Sequence, residues 1–346
     1  MATVQKAAIL PALNASLVIE QRPVPKPNPN QVLIKTTAAA INPLDNSHRY
    51  MPIRVTSHPA VLGCDGAGVI EDAGNAIQGF KKGDRVFFQG NFNNDQSTFQ
   101  QYALADAKLV GRTPPNITDE QASTLSSSLS TAVAALFDKT GFTPSIEEPT
   151  VSNKPIVILG GSGSVGRAVV QLARITGFSP IITTSSEAHA EALKSLGATH
   201  VFERTVAPGA IHSAIQASGY PLHFTVDAVS TPETQLFAYN LLTNQPNGPT
   251  NDLQLQLVLP PTDELLALNK SRPGGPIKVG IVDGHSYALP ELNAPFYVVA
   301  GKWLEEGKLA PAKVQMVEGG LAGVSKGLDI IAKGVSGVKL VIRPQE

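Results

Sequence analysis

The chain has 346 residues, 42% hydrophobic and 16% charged, enough apolar material for roughly two domains at about 150 residues each. A formal net charge of −1 and a pI near 6.7, with Lys and Arg scattered along the chain, give no electrostatic reason to expect nucleic acid or an anionic membrane as a partner. The single cysteine, Cys64, excludes an intramolecular disulfide framework and any cysteine-cluster zinc site.

Met1 to Ile19 lacks a basic segment followed by a sustained apolar run, and no window reaches the roughly 18 apolar residues of a membrane span. A cytosolic protein with no membrane partner is therefore expected. The acceptor-like triplets at Asn14, Asn116 and Asn269 are read as chance matches for the same reason.

The first 110 residues read as β-rich. Val32–Thr36 is a β-branched strand after the Pro-rich Pro23–Pro29 stretch. Val61-Leu62 leads into the glycine-rich Gly63–Gly68, and Val69-Ile70 resumes the extended run. Lys82-Gly83-Asp84 is a turn before the strand Arg85–Phe88. Ile117–Ala122 opens a helix with Thr118 or Asp119 as cap, and Ala132–Phe137 continues helical. From Pro155 the chain alternates: strand Ile156–Leu159, helix Val165–Thr176, strand Ile181–Thr184, helix Ala188–Leu196, then short strands at Val201-Phe202 and Phe224–Val226. That alternation predicts a doubly wound parallel sheet. Asn244–Asn251 reads as a surface loop. The apolar run Leu253–Leu259 and the strand Lys278–Val282 are candidates for a sheet edge pairing two copies in a homodimer, although a buried central strand would look the same.

The most specific signal is Ile156-Val157-Ile158-Leu159-Gly160-Gly161-Ser162-Gly163-Ser164-Val165-Gly166. An isolated G-x-G-x-x-G is weak, but this one follows an apolar strand and opens a helix, as dinucleotide binding requires. Gly161 is expected to permit the tight turn, Gly163 to let the backbone approach a pyrophosphate, and Gly166 to let helix and strand pack closely. Gly161, Ser162, Gly163, Ser164, Val165 and Gly166 are thus the candidate pyrophosphate cradle at a helix N-terminus. About 20 residues on, an NAD enzyme usually carries an acid for the ribose 2′-hydroxyl. Here Thr183-Thr184-Ser185-Ser186 stands there. Ser185 and Ser186 can donate to a 2′-phosphate that a carboxylate would repel, so the absent acid makes NADPH the expected cofactor; Arg204 could add a cation or be an ordinary solvated side chain.

Several blocks together resemble the zinc-free branch of the medium-chain dehydrogenase/reductase superfamily: Asn42-Pro43-Leu44-Asp45, Leu62–Ile70, Phe80–Val86, Thr131-Ala132, the fingerprint and Leu196-Gly197-Ala198. The tail, Gly319-Gly320-Leu321 with Ser336–Val341, is similar to fungal trans-acting enoyl reductases. The resemblance runs in order along nearly the whole chain. It implies an α/β fold: a GroES-like β-rich substrate domain (1–125), an inserted Rossmann domain (126–297), a C-terminal return (298–346), and an active site in the cleft between. It also implies Lys339 as a further cofactor ligand, and a polyketide synthase as partner if the chain is a trans-acting enoyl reductase. Gly63-Cys64-Asp65 stands where zinc-dependent members carry Gly-His-Glu. No metal is expected, and Cys64 is read as a buried apolar thiol.

Without zinc, carbonyl reduction lacks the Lewis acid that would stabilise an alkoxide. Hydride addition to an alkene conjugated with a carbonyl is less demanding, because charge develops as a delocalised enolate that a few donors can hold. The expected substrate is a small conjugated molecule. Carried over from the family's motifs, Asn42 and Asp45 would shape the nicotinamide end of the site, and Thr131 would donate to the carboxamide or the substrate carbonyl. In structural terms alone Asn42-Pro43 is a turn, Asp45 a helix cap and Thr131 a packed helix residue. His48 and Tyr50 are candidate proton donors. Three readings stay open: an enoyl or alkenal reductase, a quinone reductase, and an NADPH-binding protein without turnover.

Overall fold

The computed structural model describes residues 3–346. Its contacts divide the chain into two units, Met1–Ser127 with Ser286–Glu346, and Ser128–His285. The return thus begins at Ser286, ahead of the expected 298.

The first unit starts with β1 (Val4–Leu10), β2 (Val18–Pro23), β3 (Gln31–Ile41), the short helix α1 (Pro43–Ser47) and β4 (Ala60–Val61). It continues through β5 (Asp65–Ala73), β6 (Arg85–Gln89), β7 (Tyr102–Asp106), β8 (Val110–Arg112) and α2 (Asp119–Ala122). The helix start expected near Thr118 is α2: Thr118 caps it, accepting from the Gln121 amide at 3.2 Å while the Gln121 side chain returns to the Thr118 amide. The extended run resumes at Asp65 rather than Val69, because β5 already includes Gly66 and Gly68. A Cβ on Gly68 would lie 2.0 Å from the Lys35 carbonyl oxygen, so glycine is there to let β3 and β5 approach.

The second unit takes most of α3 (Ser126–Phe137), then alternates β9 (Ile156–Leu159), α4 (Ser164–Thr176), β10 (Ile181–Thr184), α5 (Ala190–Leu196), β11 (His200–Phe202) and α6 (Pro208–Ala217). It ends with β12 (Phe224–Asp227), α7 (Pro232–Thr243), β13 (Gln254–Leu257), α8 (Asp263–Lys270) and β14 (Lys278–Ile281). Its six strands are all parallel in the order β11-β10-β9-β12-β13-β14, the order of a dinucleotide-binding Rossmann sheet. Val157, Leu159, Leu255 and Leu257 bury one side of it against Ile211, Ile215, Leu241 and Leu242. The run Leu253–Leu259 does not form an edge: β13 lies between β12 and β14. β14 is the outer strand.

The chain then returns through α9 (Pro290–Glu305), β15 (Lys313–Met316), α10 (Val324–Ala332) and β16 (Val338–Ile342). α9 belongs with the first unit because it packs on β8; Tyr297 stacks on Phe87 at 5.9 Å and Asn116 donates to the Leu304 carbonyl. β15-β16-β3-β5-β6-β8 form the larger sheet of this unit, with β7 on β3; β2-β1-β4 form a smaller one.

Candidate functional site

The first unit holds a buried polar cluster where three strand ends meet. Leu340 of β16 pairs with Ile41 of β3, and Ala40 pairs with Asp65 of β5. That register brings Lys339, Asn42 and Asp65 side by side although 65 and 339 lie far apart in sequence. The Lys339 ammonium donates to Asn42 Oδ1 and lies 3.0 Å from Asp65 Oδ2. Asn42 Nδ2 donates to the same Asp65 oxygen at 2.9 Å, and Asp65 Oδ1 accepts the Ser127 amide at 2.7 Å. Lys339 is 4% exposed and Asp65 fully buried. Charges this deep persist only when paired and hydrogen-bonded, as these are.

Both ends of the Asn42 carboxamide are therefore engaged within the protein. Asp45 is fully buried and caps α1, accepting the Asn42 amide at 2.8 Å; its other oxygen has no partner among the described residues. Burial raises its pKa to about 7, with the Asp65 charge adding to the shift. His48 ends the same helix with its ring edge-on to Phe92 at 5.3 Å. Burial, with the charge of Arg54, lowers its pKa to about 4, so the imidazole is neutral at physiological pH. Tyr50 is half exposed, with the Arg49 guanidinium 5.3 Å from its ring centre.

These residues do not fit a zinc ion. Asn42 donates to Cys64 Sγ at 3.4 Å, and burial with the nearby Asp45 and Asp65 carboxylates pushes the thiol well up, away from the thiolate a metal needs. Asp65 is engaged by a lysine cation. Among the described residues no group of three His, Cys, Asp or Glu could hold a metal ion.

The second unit carries the nucleotide fingerprint. The left-handed residue of its turn is Gly160 (φ 78°), not Gly161. Thr184 holds this turn from β10, its hydroxyl accepting the Gly160 amide at 3.1 Å and its carbonyl the Gly161 amide at 2.9 Å. A Cβ on Gly161 would strike Thr183 Oγ1 at 2.2 Å, and one on Gly166 the Gly160 carbonyl oxygen at 2.2 Å. Gly163 differs. It caps α4 in extended conformation, and a Cβ there would meet only the Gly160 carbonyl oxygen, at an ordinary 3.4 Å. Ser162 follows the turn, and Ser164, Val165 and Gly166 form the first turn of α4, which starts at Ser164. The site fits a dinucleotide: it offers a helix N-terminus with open space over the glycine that should face a pyrophosphate.

Ser185 follows β10, its amide donating to the Phe202 carbonyl at 2.9 Å. This bond joins the Ser185-Ser186 segment to the end of β11, two residues before the exposed Arg204. The Ser185 hydroxyl is buried without a partner among the described residues. Beside it, the Glu203 carboxylate accepts the Glu187 amide at 2.6 Å. Thr131 lies on α3, where a Cβ on Gly284 would come within 2.1 Å of its hydroxyl oxygen. The structure thus groups Asn42, Asp45 and Lys339 in the first unit, with His48 and Tyr50 on and just after α1. It places Thr131, the fingerprint, Ser185, Ser186 and Arg204 in the second. Sequence reasoning passed over Asp65 as the partner of Lys339 and Thr184 as the brace of the turn. A hydroxyl pair at the end of the strand beside the fingerprint was the available signal for Thr184.

Comparison with known proteins agrees with both units. A family model described as the alcohol dehydrogenase GroES-like domain matches residues 28–115, and one described as zinc-binding dehydrogenase matches residues 164–247. The chain belongs to the medium-chain dehydrogenase/reductase superfamily, in its zinc-free branch, and is an oxidoreductase with a nicotinamide dinucleotide as its class of cofactor. Within that superfamily it is 31% identical to the trans-enoyl reductase FSL5 of Gibberella zeae over 96% of each chain. It is 29% identical to the trans-enoyl reductase resD of Aspergillus sclerotiorum, covering 98% of this chain and 99% of that one. Among solved structures, a putative zinc-dependent alcohol dehydrogenase protein from Rhizobium etli aligns with a TM-score of 0.77 at 23% identity, covering 99% of each chain. A quinone oxidoreductase from Coxiella burnetii aligns with a TM-score of 0.71 at 21% identity, covering 98% of this chain and 99% of that one. At such identities these two matches show the fold alone.

Proposed function

We propose that this protein is an NADPH-dependent enoyl reductase that saturates a carbon–carbon double bond conjugated with a carbonyl, without a metal. The observation that carries the reading is the full-length likeness to trans-enoyl reductases, in a chain whose Gly163 leaves open the space a pyrophosphate would fill. A carrier-bound acyl chain on a polyketide synthase is the form of substrate that likeness favours. Bound NADPH supplies the hydride for the β-carbon, and a proton added at the α-carbon completes the saturated product. The chain's part is to bind and orient. Gly160–Gly166 and the start of α4 hold the pyrophosphate, and Ser185, Ser186 and Arg204 take the 2′-phosphate, the buried Ser185 hydroxyl gaining the partner it lacks. The Asn42–Asp65–Lys339 cluster stiffens the first unit's wall. His48, held neutral at physiological pH by its burial and by Arg54, is a poor proton donor, which leaves Tyr50 or water to supply that proton.

Cofactor oxidation measured with 2-enoyl thioesters, enones, quinones and isolated ketones tests this reading. Turnover of the conjugated thioesters or enones, with none of the ketones, is expected; binding of NADPH without reduction of any alkene would overturn it. The dissociation constants of NADPH and NADH should differ by tenfold or more, about 1.4 kcal/mol, and equal values would remove the phosphate site. Incubation with a strong chelator should leave the rate unchanged. Loss of activity restored by zinc would refute the metal-free mechanism.

A further inference from the structure

The polypeptide leaves the first unit after Ser127 and re-enters it at Ser286, and both points are held by neighbouring side chains. Asp65 and Gln89 face one another across β5 and β6, so their side chains leave the sheet on the same side. Asp65 accepts the Ser127 amide at 2.7 Å. Gln89 Nε2 donates to the Ser127 hydroxyl at 3.2 Å, and Gln89 Oε1 accepts the Ser286 amide at 2.7 Å. Gln89 is 3% exposed and Ser286 fully buried, so the bond between them has no ready substitute in water, while the Gln89–Ser127 bond is part-buried. One carboxamide thus spans the outgoing and the incoming chain.

We propose that Gln89 is a positioning residue, a pin that couples the two chain crossings and makes them open and close together. Its bearing on turnover rests on the enoyl reductase reading. In that reading the cofactor binds in the second unit, and these two crossings are where the chain enters and leaves that unit. The coupling of the crossings rests on the hydrogen bonds alone.

Gln89→Met keeps the length and volume of the side chain and deletes both bonds, whereas Gln89→Glu keeps the acceptor for the Ser286 amide. Hydrogen exchange of the unliganded protein, read in the segments around residues 127 and 286, needs no substrate. In Gln89→Met, exchange should rise about tenfold in both segments together, while β9 and α4 keep their wild-type protection. Gln89→Glu should restore protection around residue 286. A rise in one segment only, no rise, or a uniform rise along the chain would overturn the proposal. If Gln89→Met yields no folded protein, Ser127→Ala, which removes the hydroxyl but keeps the amide bond to Asp65, should still raise exchange around 286; unchanged exchange there would also overturn it. With the alkene substrate, kcat should fall about tenfold in Gln89→Met while NADPH affinity stays within about twofold. An unchanged kcat beside the expected exchange would remove the catalytic bearing of the pin. A wild-type protein that reduces no alkene would remove the enoyl reductase reading and leave the exchange result standing.

Discussion

Lys339→Met should lower the stability of the first unit by about 3–5 kcal/mol, the range for removing one partner of a buried ion pair. The size follows from what is left behind. Without the ammonium, Asp65 remains fully buried with a charge balanced only by the Asn42 carboxamide and the Ser127 amide. Asn42 Oδ1 also loses its donor, and the Asp45 carboxyl, already raised to about 7 by burial and by Asp65, loses a nearby cation. Two-unit proteins need not unfold in one step, so the readout must belong to the first unit. Trp303 provides it: it is the only tryptophan, it is buried in α9, and its ring packs against Phe296 at 6.1 Å. Denaturant unfolding followed by its fluorescence should show a clearly lower midpoint for Lys339→Met. Adding Asp65→Asn should recover much of the loss, since removing both charges deletes the uncompensated one. An unchanged midpoint, or a double variant no better than the single, would show that the pair does not hold this unit together.

The same cluster shows where sequence reading reaches its limit. Local patterns made the Rossmann half legible: an apolar strand, a glycine turn and an amphipathic helix each announce themselves within a dozen or so residues, and β9, α4, β10, β11, β12 and β14 lie where they were expected. The pairing of Lys339 with Asp65 has no local signature, because it arises from the register of β16 on β3 and of β3 on β5. As a cofactor-ligand candidate, Lys339 was chosen from family resemblance. The structure shows its ammonium engaged by Asn42 and Asp65. Glycines misled for a related reason. Gly66 and Gly68 read as a break before the extended run at Val69, but they lie in β5 because the neighbouring strand comes too close for a side chain, which only the folded sheet reveals. The boundary expected at 297/298 cuts through α9, whereas the whole helix lies in the first unit and packs on β8.

The fingerprint allows its structural and ligand roles to be separated by two single-methyl substitutions. In Gly166→Ala the new methyl would lie 2.2 Å from the Gly160 carbonyl oxygen and 2.8 Å from Gly161 Cα, both backbone atoms of the turn itself. Helix α4 must then move off the turn. Overpacking of this kind costs about 1–3 kcal/mol, and cofactor affinity should fall because the cradle is displaced. In Gly163→Ala the methyl meets nothing closer than 3.4 Å, and the backbone at φ −70° and ψ 160° suits alanine. Its stability should change by about 1 kcal/mol or less, the scale of a poorer N-cap. The methyl would nevertheless stand where the pyrophosphate must approach the α4 N-terminus. NADPH affinity should therefore drop by about 100-fold or more, about 2.7 kcal/mol, in a protein that unfolds like the wild type. Thermal unfolding without ligand and titration calorimetry with NADPH measure the two quantities separately. If Gly163→Ala binds NADPH as well as the wild type does, the pyrophosphate does not lie over this glycine and the cofactor site must be placed elsewhere in the second unit. If Gly166→Ala keeps both stability and affinity, the close packing of α4 on the turn is not what requires glycine there.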